Sequence, residues 1–143
     1  MKFERLKQIR ETQELTQKEL ANILNVERST YAGWETGKDT IPLRRLNKLC
    51  DYYKVSIDYA TGLTNDSTCY KVIDIDAKTV GKNLKKLRKK HNLVQKDIFI
   101  PLNTTSSTYS AYETGKVLIK TDFIYTIAKE YNSSIDQLVG KKI

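Results

Sequence analysis

The sequence predicts an all-α protein made of two tandem domains of about five helices each. Its 143 residues include only 6 glycines and 2 prolines, the residues that most often interrupt helices. Apolar residues recur at helical spacing along most of the chain. The second half also repeats the first at an offset of about 78 residues, and roughly a third of the aligned positions are identical. Together these observations indicate a tandem duplication of one small helical domain.

The register of the repeat sets the expected domain limits. It runs without a gap until Gly62 is aligned with Gly140. We therefore expect domains at residues 1–63 and 80–143, joined by a linker at residues 64–79.

The first repeat opens with two short helices. A helix from about Phe3 to Thr12 turns Leu6 and Ile9 inward. Thr16 marks the start of the next helix, because its hydroxyl can accept a hydrogen bond from a backbone N–H and Glu19 completes a capping box.

A tight turn and a third helix follow. Asn25 stands at the turn, and Asn is among the few residues other than Gly that tolerate the left-handed backbone conformation. The third helix is expected from about Glu27 to Glu35, with Gly37 ending it. Two helices joined in this way form a helix-turn-helix motif.

Two further helices complete the repeat. Pro42 fits the first position of a helix, where its missing N–H costs nothing. Ser56 can cap a last short helix that Gly62 terminates. The helix after Pro42 carries an apolar stripe of Leu43, Leu46, Leu49, Cys50 and Tyr53.

The linker begins with the turn-forming residues TNDST. After them, Val72, Ile73 and Ile75 favour a brief extended segment. Asp76 can cap the first helix of the second repeat. The inward residues of that helix are Val80, Leu84 and Leu87.

The charge of the chain favours a polyanion partner, most often a nucleic acid. The net charge is +8 and the isoelectric point about 9.4. Roughly +7 of this charge lies in residues 80–143, most densely in the helix GKNLKKLRKKHN, which is either a phosphate-binding surface or a solvated face. No apolar run approaches the roughly 18 residues of a membrane span, so we expect a cytoplasmic protein.

Catalysis, metal binding and cofactor binding find no support in the sequence. The chain has a single histidine, no Gly-rich phosphate loop and no nucleophile paired with a base. Cys50 and Cys69 lie far apart without a CxxC pattern, which argues against a zinc site. We therefore expect no enzyme, no cofactor and no metal.

Two stretches carry a specific family resemblance. TQKELANILNVERSTYAGWETGK, followed by IPLRRLNKLCDYYKVSIDYATG, resembles the Xre/Cro, lambda-repressor-like helix-turn-helix family of bacterial and phage transcription regulators. The second repeat matches more loosely. The resemblance implies two five-helix bundles whose second and third helices bind double-stranded DNA.

In this family the third helix enters the major groove and its first exposed residues meet base edges. Arg28 is the sharpest candidate, because a guanidinium can donate two hydrogen bonds to guanine. Thr30, Tyr31 and Trp34 are expected to face the bundle. The base-contacting positions implied for the first repeat are Glu27, Arg28, Ser29 and Gly33, with Gln17 meeting a phosphate or a base and Thr36, Lys38 and Arg44 meeting the backbone.

The second repeat places smaller, uncharged residues at the same positions. Val94 stands where the first repeat has its capping Thr, Phe99 replaces a small packing residue, and Pro101 falls near the end of the second helix. The implied contact positions are Gln95, Thr105, Ser106, Ser107 and Ala111, with Thr114 and Lys116 on phosphates.

These observations predict a sequence-specific DNA-binding transcriptional regulator, a repressor that occludes its operator. One alternative is an antitoxin-type protein in which the first repeat binds DNA and the second mediates homodimerisation or binds a protein partner. A protein-interaction module without a DNA site is the other.

Overall fold

The computed structural model describes all residues 1–143 and contains ten α-helices and no β-strand. It divides into two compact units, unit 1 (Met1–Tyr70) and unit 2 (Lys71–Ile143), each with five helices. The all-α fold with two tandem helix-turn-helix domains is therefore confirmed. None of the helices combines the length and apolar character that a membrane span needs.

Unit 1 is a five-helix bundle around one apolar core. Its fully buried core residues include Leu6, Leu20, Leu46, Leu49 and Ile57. Tyr31 and Trp34 of the third helix pack against each other in this core at a ring distance of 5.9 Å. The helices are α1 (Glu4–Thr12), α2 (Gln17–Ile23), α3 (Arg28–Thr36), α4 (Leu43–Tyr53) and α5 (Ile57–Thr61).

The local signals for the helix ends of unit 1 are confirmed, except that of Pro42. Thr16 Oγ1 accepts from Glu19 N at 3.1 Å, and the Glu19 carboxylate accepts from Thr16 N at 3.0 Å. Asn25 is left-handed at φ 57°, and so is Gly37, at φ 84°, after α3. Pro42 lies one position earlier than expected, because α4 begins at the next residue and Pro42 is its N-cap.

Unit 2 repeats the five-helix plan. The Asp76 carboxylate accepts from Thr79 N at 3.3 Å and starts the first helix, as expected. Before it, Val72 is exposed and Ile75 is buried, but no strand forms there. The helices are α6 (Ala77–Lys90), α7 (Gln95–Phe99), α8 (Ser106–Thr114), α9 (Thr121–Glu130) and α10 (Ile135–Leu138).

The two units differ most at their first two helices. α6 has 14 residues where α1 has 9, and α7 has 5 where α2 has 7. α7 is short because Pro101 has no N–H with which to continue it. Val94 cannot cap it with its side chain, so only half of a capping box remains, in which the Asp97 carboxylate accepts from Val94 N at 2.9 Å.

Candidate nucleic-acid interface

The start of α3 is tied to the interior of unit 1 by a line of four polar side chains, which we call the polar chain. Arg10 donates to both oxygens of Glu35, at 2.7 and 3.0 Å. Gln17 Nε2 donates to Glu35 Oε1 at 3.1 Å, and Arg28 Nη1 donates to Gln17 Oε1 at 3.2 Å. The polar chain thus holds the exposed guanidinium of Arg28 through a buried ion pair.

The Glu35 carboxyl is ionised at neutral pH although it is buried. Burial on its own raises its pKa, but hydrogen bonds from Arg10 and Gln17 outweigh this effect and hold the pKa below its ordinary value. Because both atoms of the Gln17 amide are engaged, Gln17 orients Arg28 within unit 1. The second N–H of the Gln17 amide nitrogen stays available and can donate to a phosphate while both bonds remain in place.

The exposed candidates lie at the two ends of α3. Glu27 is its N-cap residue, without a side-chain cap bond, and Arg28 and Ser29 are its first two residues. A cleft of about 720 Å³ between α2 and α3 reaches Arg28. At the other end of α3, three exposed residues are suited to contacts with a DNA backbone: Thr36, which ends the helix, and Lys38 and Arg44, which follow it.

Two expectations about α3 are wrong. Thr30 was expected to face the bundle, but it is exposed and lines the cleft. Gly33 was expected to be exposed, but it is buried, and a Cβ on it would lie 3.4 Å from Asp39 Oδ2. The segment after α3 folds back over Gly33 and covers it. The cleft also includes Lys18 and Asn22 of α2, two exposed residues that the family resemblance does not single out.

Unit 2 contains the buried part of the polar chain but lacks the exposed arginine. Arg88 donates to both oxygens of Glu113, at 2.8 and 3.1 Å, and Gln95 Nε2 donates to Glu113 Oε1 at 3.2 Å. The line ends at Gln95, because Ser106 occupies the position of the exposed arginine.

Hydroxyl groups dominate the start of α8. Thr105 caps it by accepting from Thr108 N at 3.2 Å, and Ser106 and Ser107 are exposed beside it. Lys116, after the helix, is exposed as well. This surface can donate and accept single hydrogen bonds but cannot make the two-pronged contact of a guanidinium.

Comparison with known proteins agrees with this geometry. A helix-turn-helix family model matches residues 6–59, and a helix-turn-helix domain model matches residues 81–142. An uncharacterized HTH-type transcriptional regulator of Bacillus subtilis, YobD, is 36% identical over 93 residues, which cover 65% of this chain and 76% of YobD. The chain belongs to the Xre-like helix-turn-helix family.

A second relative is similar over a shorter stretch of the chain. The antitoxin PezA of Streptococcus pneumoniae is 34% identical over 62 residues, 43% of this chain and 39% of PezA. No solved structure matches the chain.

In this family member, a hydrogen bond that the sequence did not predict stabilises the turn between α2 and α3. Arg45 Nη1 donates to the carbonyl oxygen of Leu24 at 2.8 Å, at the end of α2 and next to the left-handed Asn25. Phe123 holds the equivalent position in unit 2 and packs on Tyr112. A phenyl ring cannot donate such a bond, so the turn of unit 1 has a fastening that unit 2 does not share.

We expect acid to weaken both units of this helix-turn-helix protein. Because the pKa values of Glu35 and Glu113 are lowered on folding, their contribution is complete above the unfolded pKa of about 4.3. It is lost as the pH falls through the lower folded values. Denaturation at about pH 7 and about pH 3 measures the loss. The double variant Glu35→Gln with Glu113→Gln, which cannot titrate at these sites, should show a flatter dependence, and an equally steep one would contradict the assignment.

Proposed function

We propose that this protein is a sequence-specific DNA-binding transcription regulator in which unit 1 reads bases through Arg28. The observation that carries the proposal is the polar chain, which presents an exposed guanidinium at the first position of α3 with its direction fixed by Gln17. A fixed guanidinium is preorganised for the O6 and N7 acceptors of guanine, the commonest specific contact in the major groove. Glu27, beside it, can accept from cytosine N4.

The backbone contacts in this proposal come from the far end of α3 and from α4. Thr36, Lys38 and Arg44 are exposed there. Their contacts would position unit 1 without reading sequence and would make the affinity depend on salt. Bound at an operator, the protein would act as a repressor by excluding polymerase from the same DNA.

Unit 2 adds a weaker reader in this proposal. Its α8 offers Thr105, Ser106 and Ser107 to base edges, with Gln95 and Lys116 alongside. Hydroxyl groups contact several bases with little discrimination. We therefore propose an asymmetric site, in which one half is read strictly and the other loosely.

A second candidate function is favoured by the similarity to the antitoxin PezA and by the missing cation on α8. In it, unit 1 binds DNA and unit 2 pairs with a second copy of the chain or with another protein. Selecting bound sequences from a random DNA pool with the full-length protein separates the two. Two unequal half-sites at fixed spacing support the two-reader proposal, whereas two equal half-sites of the type read by unit 1 support dimerisation through unit 2.

Replacing Arg28 with Ala should weaken binding to the selected operator by about tenfold to a hundredfold, since a good bidentate contact is worth about 1–3 kcal/mol. Binding to random DNA should change far less, because only one charge is lost. Fluorescence anisotropy on both duplexes measures the difference. Ser106→Ala is the matched control at the same position of unit 2 and should cost much less. Equal losses on operator and random DNA would contradict base reading by Arg28.

A further inference from the structure

Besides the cleft of unit 1, the protein has a concave surface in unit 2. It lies between the second half of α6 and the turn that joins α9 to α10. Its volume is about 450 Å³, and none of the residues that line it is a carboxylate. We call it the basic pocket. Its polar lining includes Asn83, Lys86, Lys90, His91, Ser133 and Gln137.

In unit 1 the equivalent place is occupied by a large side chain. Arg5 Nη1 donates to the carbonyl oxygens of Tyr59 at 2.9 Å and Thr64 at 2.6 Å, and its guanidinium lies 4.3 Å over the Tyr59 ring. Unit 2 has Asn83 in place of this arginine and Gln137 in place of the tyrosine.

Asn83 also bonds to backbone carbonyl oxygens, but with a shorter side chain. Asn83 Nδ2 donates to the carbonyl oxygens of Leu138 at 2.9 Å and Gln137 at 3.4 Å. Arg5 reaches the carbonyl oxygen of Tyr59 with a guanidinium, and Asn83 reaches that of the equivalent Gln137 with a shorter amide. Asn83 and Gln137, which are smaller than the Arg5 and Tyr59 they correspond to, line the basic pocket.

The basic pocket also carries positive charges that the equivalent residues of unit 1 lack. Lys86 and Lys90 correspond to Gln8 and Thr12 of unit 1, which are uncharged. Neither lysine ammonium makes a hydrogen bond or an ion pair within the chain. Like charges four residues apart on a helix repel each other. The helix dipole favours a cation in the last turn, which accounts for Lys90 but not for Lys86, one turn earlier.

We propose that the basic pocket binds a small ligand that carries a phosphate group. Two unpaired ammonium groups supply the charge that a phosphate needs, and the hydroxyl and amide side chains supply hydrogen bonds. The rings of His91 and Tyr131, 5.0 Å apart, form a wall for the organic part of such a ligand. Since the pocket is concave and shares no residue with the start of α8, a small molecule fits it better than a DNA backbone.

Calorimetric titration of the full-length protein with inorganic pyrophosphate, at constant ionic strength, tests the proposal. We expect saturable binding that falls about tenfold or more when Lys86→Gln and Lys90→Gln are combined, because two of the three lysine charges that line the pocket are lost and only Lys142 remains. The matched control combines Lys85→Gln with Lys89→Gln, which removes the same charge from the same helix outside the pocket, and it should stay within about twofold.

A second variant separates shape from charge. Asn83→Arg with Gln137→Tyr rebuilds the arrangement of unit 1 and adds a positive charge. We expect it to abolish pyrophosphate binding, whereas a diffuse electrostatic attraction would be strengthened by it. Far-UV circular dichroism verifies that every variant is folded.

Three results would overturn the proposal: no saturable binding, equal losses in the two lysine pairs, or retained binding when the pocket is filled. A random-sequence DNA duplex tests the other source of phosphate. If the change at Lys86 and Lys90 weakens the duplex while pyrophosphate fails to bind, the pocket is a DNA backbone site and the small-ligand proposal is wrong.

Discussion

Replacing Arg10 with Met is expected to lower the free energy of unfolding of unit 1 by about 3–5 kcal/mol, the range for removing one partner of a buried ion pair. The side chains of Arg10 and Glu35 are only 11% and 3% exposed. Methionine keeps most of the volume of arginine but leaves the Glu35 carboxylate buried without its cation. The carbonyl oxygen of Leu15 also loses its 2.8 Å bond from the guanidinium.

The chain offers a reporter for this measurement. Trp34 is the single tryptophan, lies in unit 1 and is buried. Its fluorescence during denaturation therefore follows unit 1, while far-UV circular dichroism follows the helices of both units. Arg88→Met makes the same lesion in unit 2 and should leave the Trp34 transition unchanged. A cost below about 1 kcal/mol in the Arg10 variant would place the pair with ordinary surface ion pairs and contradict the expectation.

The same ion pair allows stability and base reading to be separated. The double variant Arg10→Met with Glu35→Leu removes both charges, and an apolar replacement of a buried pair is often neutral or stabilising. Unit 1 should then recover much of its stability, but Gln17 loses its acceptor and Arg28 loses its fixed partner. Specific binding should remain weak in the double variant even though the unit is folded, because the guanidinium must then be ordered on binding.

The ends of the helices could be predicted because their causes are local. A capping hydroxyl, a left-handed Asn or Gly and the N–H groups they satisfy lie within about four residues of one another. Thr16, Asn25, Gly37, Ser56 and Asp76 act as their types and positions predict. The repeat then extended the prediction from one unit to the other.

The polar chain could not be predicted from periodicity, because it joins side chains that periodicity treats as outward-facing. Arg10 and Glu35 lie 25 residues apart, and only tertiary packing brings them together. A signal was nevertheless present in the repeat. Arg10, Gln17 and Glu35 recur unchanged as Arg88, Gln95 and Glu113, whereas Arg28 does not recur. Polar identity between diverged copies indicates a structural role for these three residues, which Arg28 does not share.

The burial of Gly33 depends on where the segment after α3 lies. Asp39 folds back next to Gly33, and no pattern within α3 reports the path of that segment. In a helix of only nine residues the apolar stripe is short, so the pattern does not decide on which side of its edge a single residue lies. The exposure of Thr30 is therefore an error of rotation about the helix axis, whereas Gly33 is buried because the segment after α3 covers it.

Replacing Gly81 with Ala is expected to destabilise unit 2 by about 3 kcal/mol or more, the upper end of the cost of inserting a methyl group into a packed site. A Cβ at this position would lie 2.5 Å from the carbonyl oxygens of both Tyr112 and Glu113. These are backbone atoms at the end of α8, so no side-chain rotation can relieve the contact. Either α6 or the end of α8 must move, and Glu113 would then draw away from Arg88.

The position shows how the two units differ while sharing one plan. Unit 1 has Phe3 in place of Gly81, ahead of the start of α1, and that side chain is buried. In unit 2 the longer α6 carries Gly81 inside the helix and comes so close to α8 that the space beside its Cα is filled by the main chain. Gly33→Ala is the matched control within a helix of unit 1, since its Cβ would meet only side-chain atoms at 3.4 and 3.9 Å.

Gly81→Ala should therefore shift the circular dichroism transition of unit 2 and leave the Trp34 fluorescence transition in place. The substitution improves intrinsic helix propensity by about 1 kcal/mol. Only the contact with the α8 carbonyl oxygens can make its net effect unfavourable. Gly33→Ala receives the same propensity gain without that contact and should stabilise unit 1, by up to about 1 kcal/mol. If Gly81→Ala were stabilising, α6 could move away from α8 at little cost, and the close approach of the two helices would not hold unit 2 together.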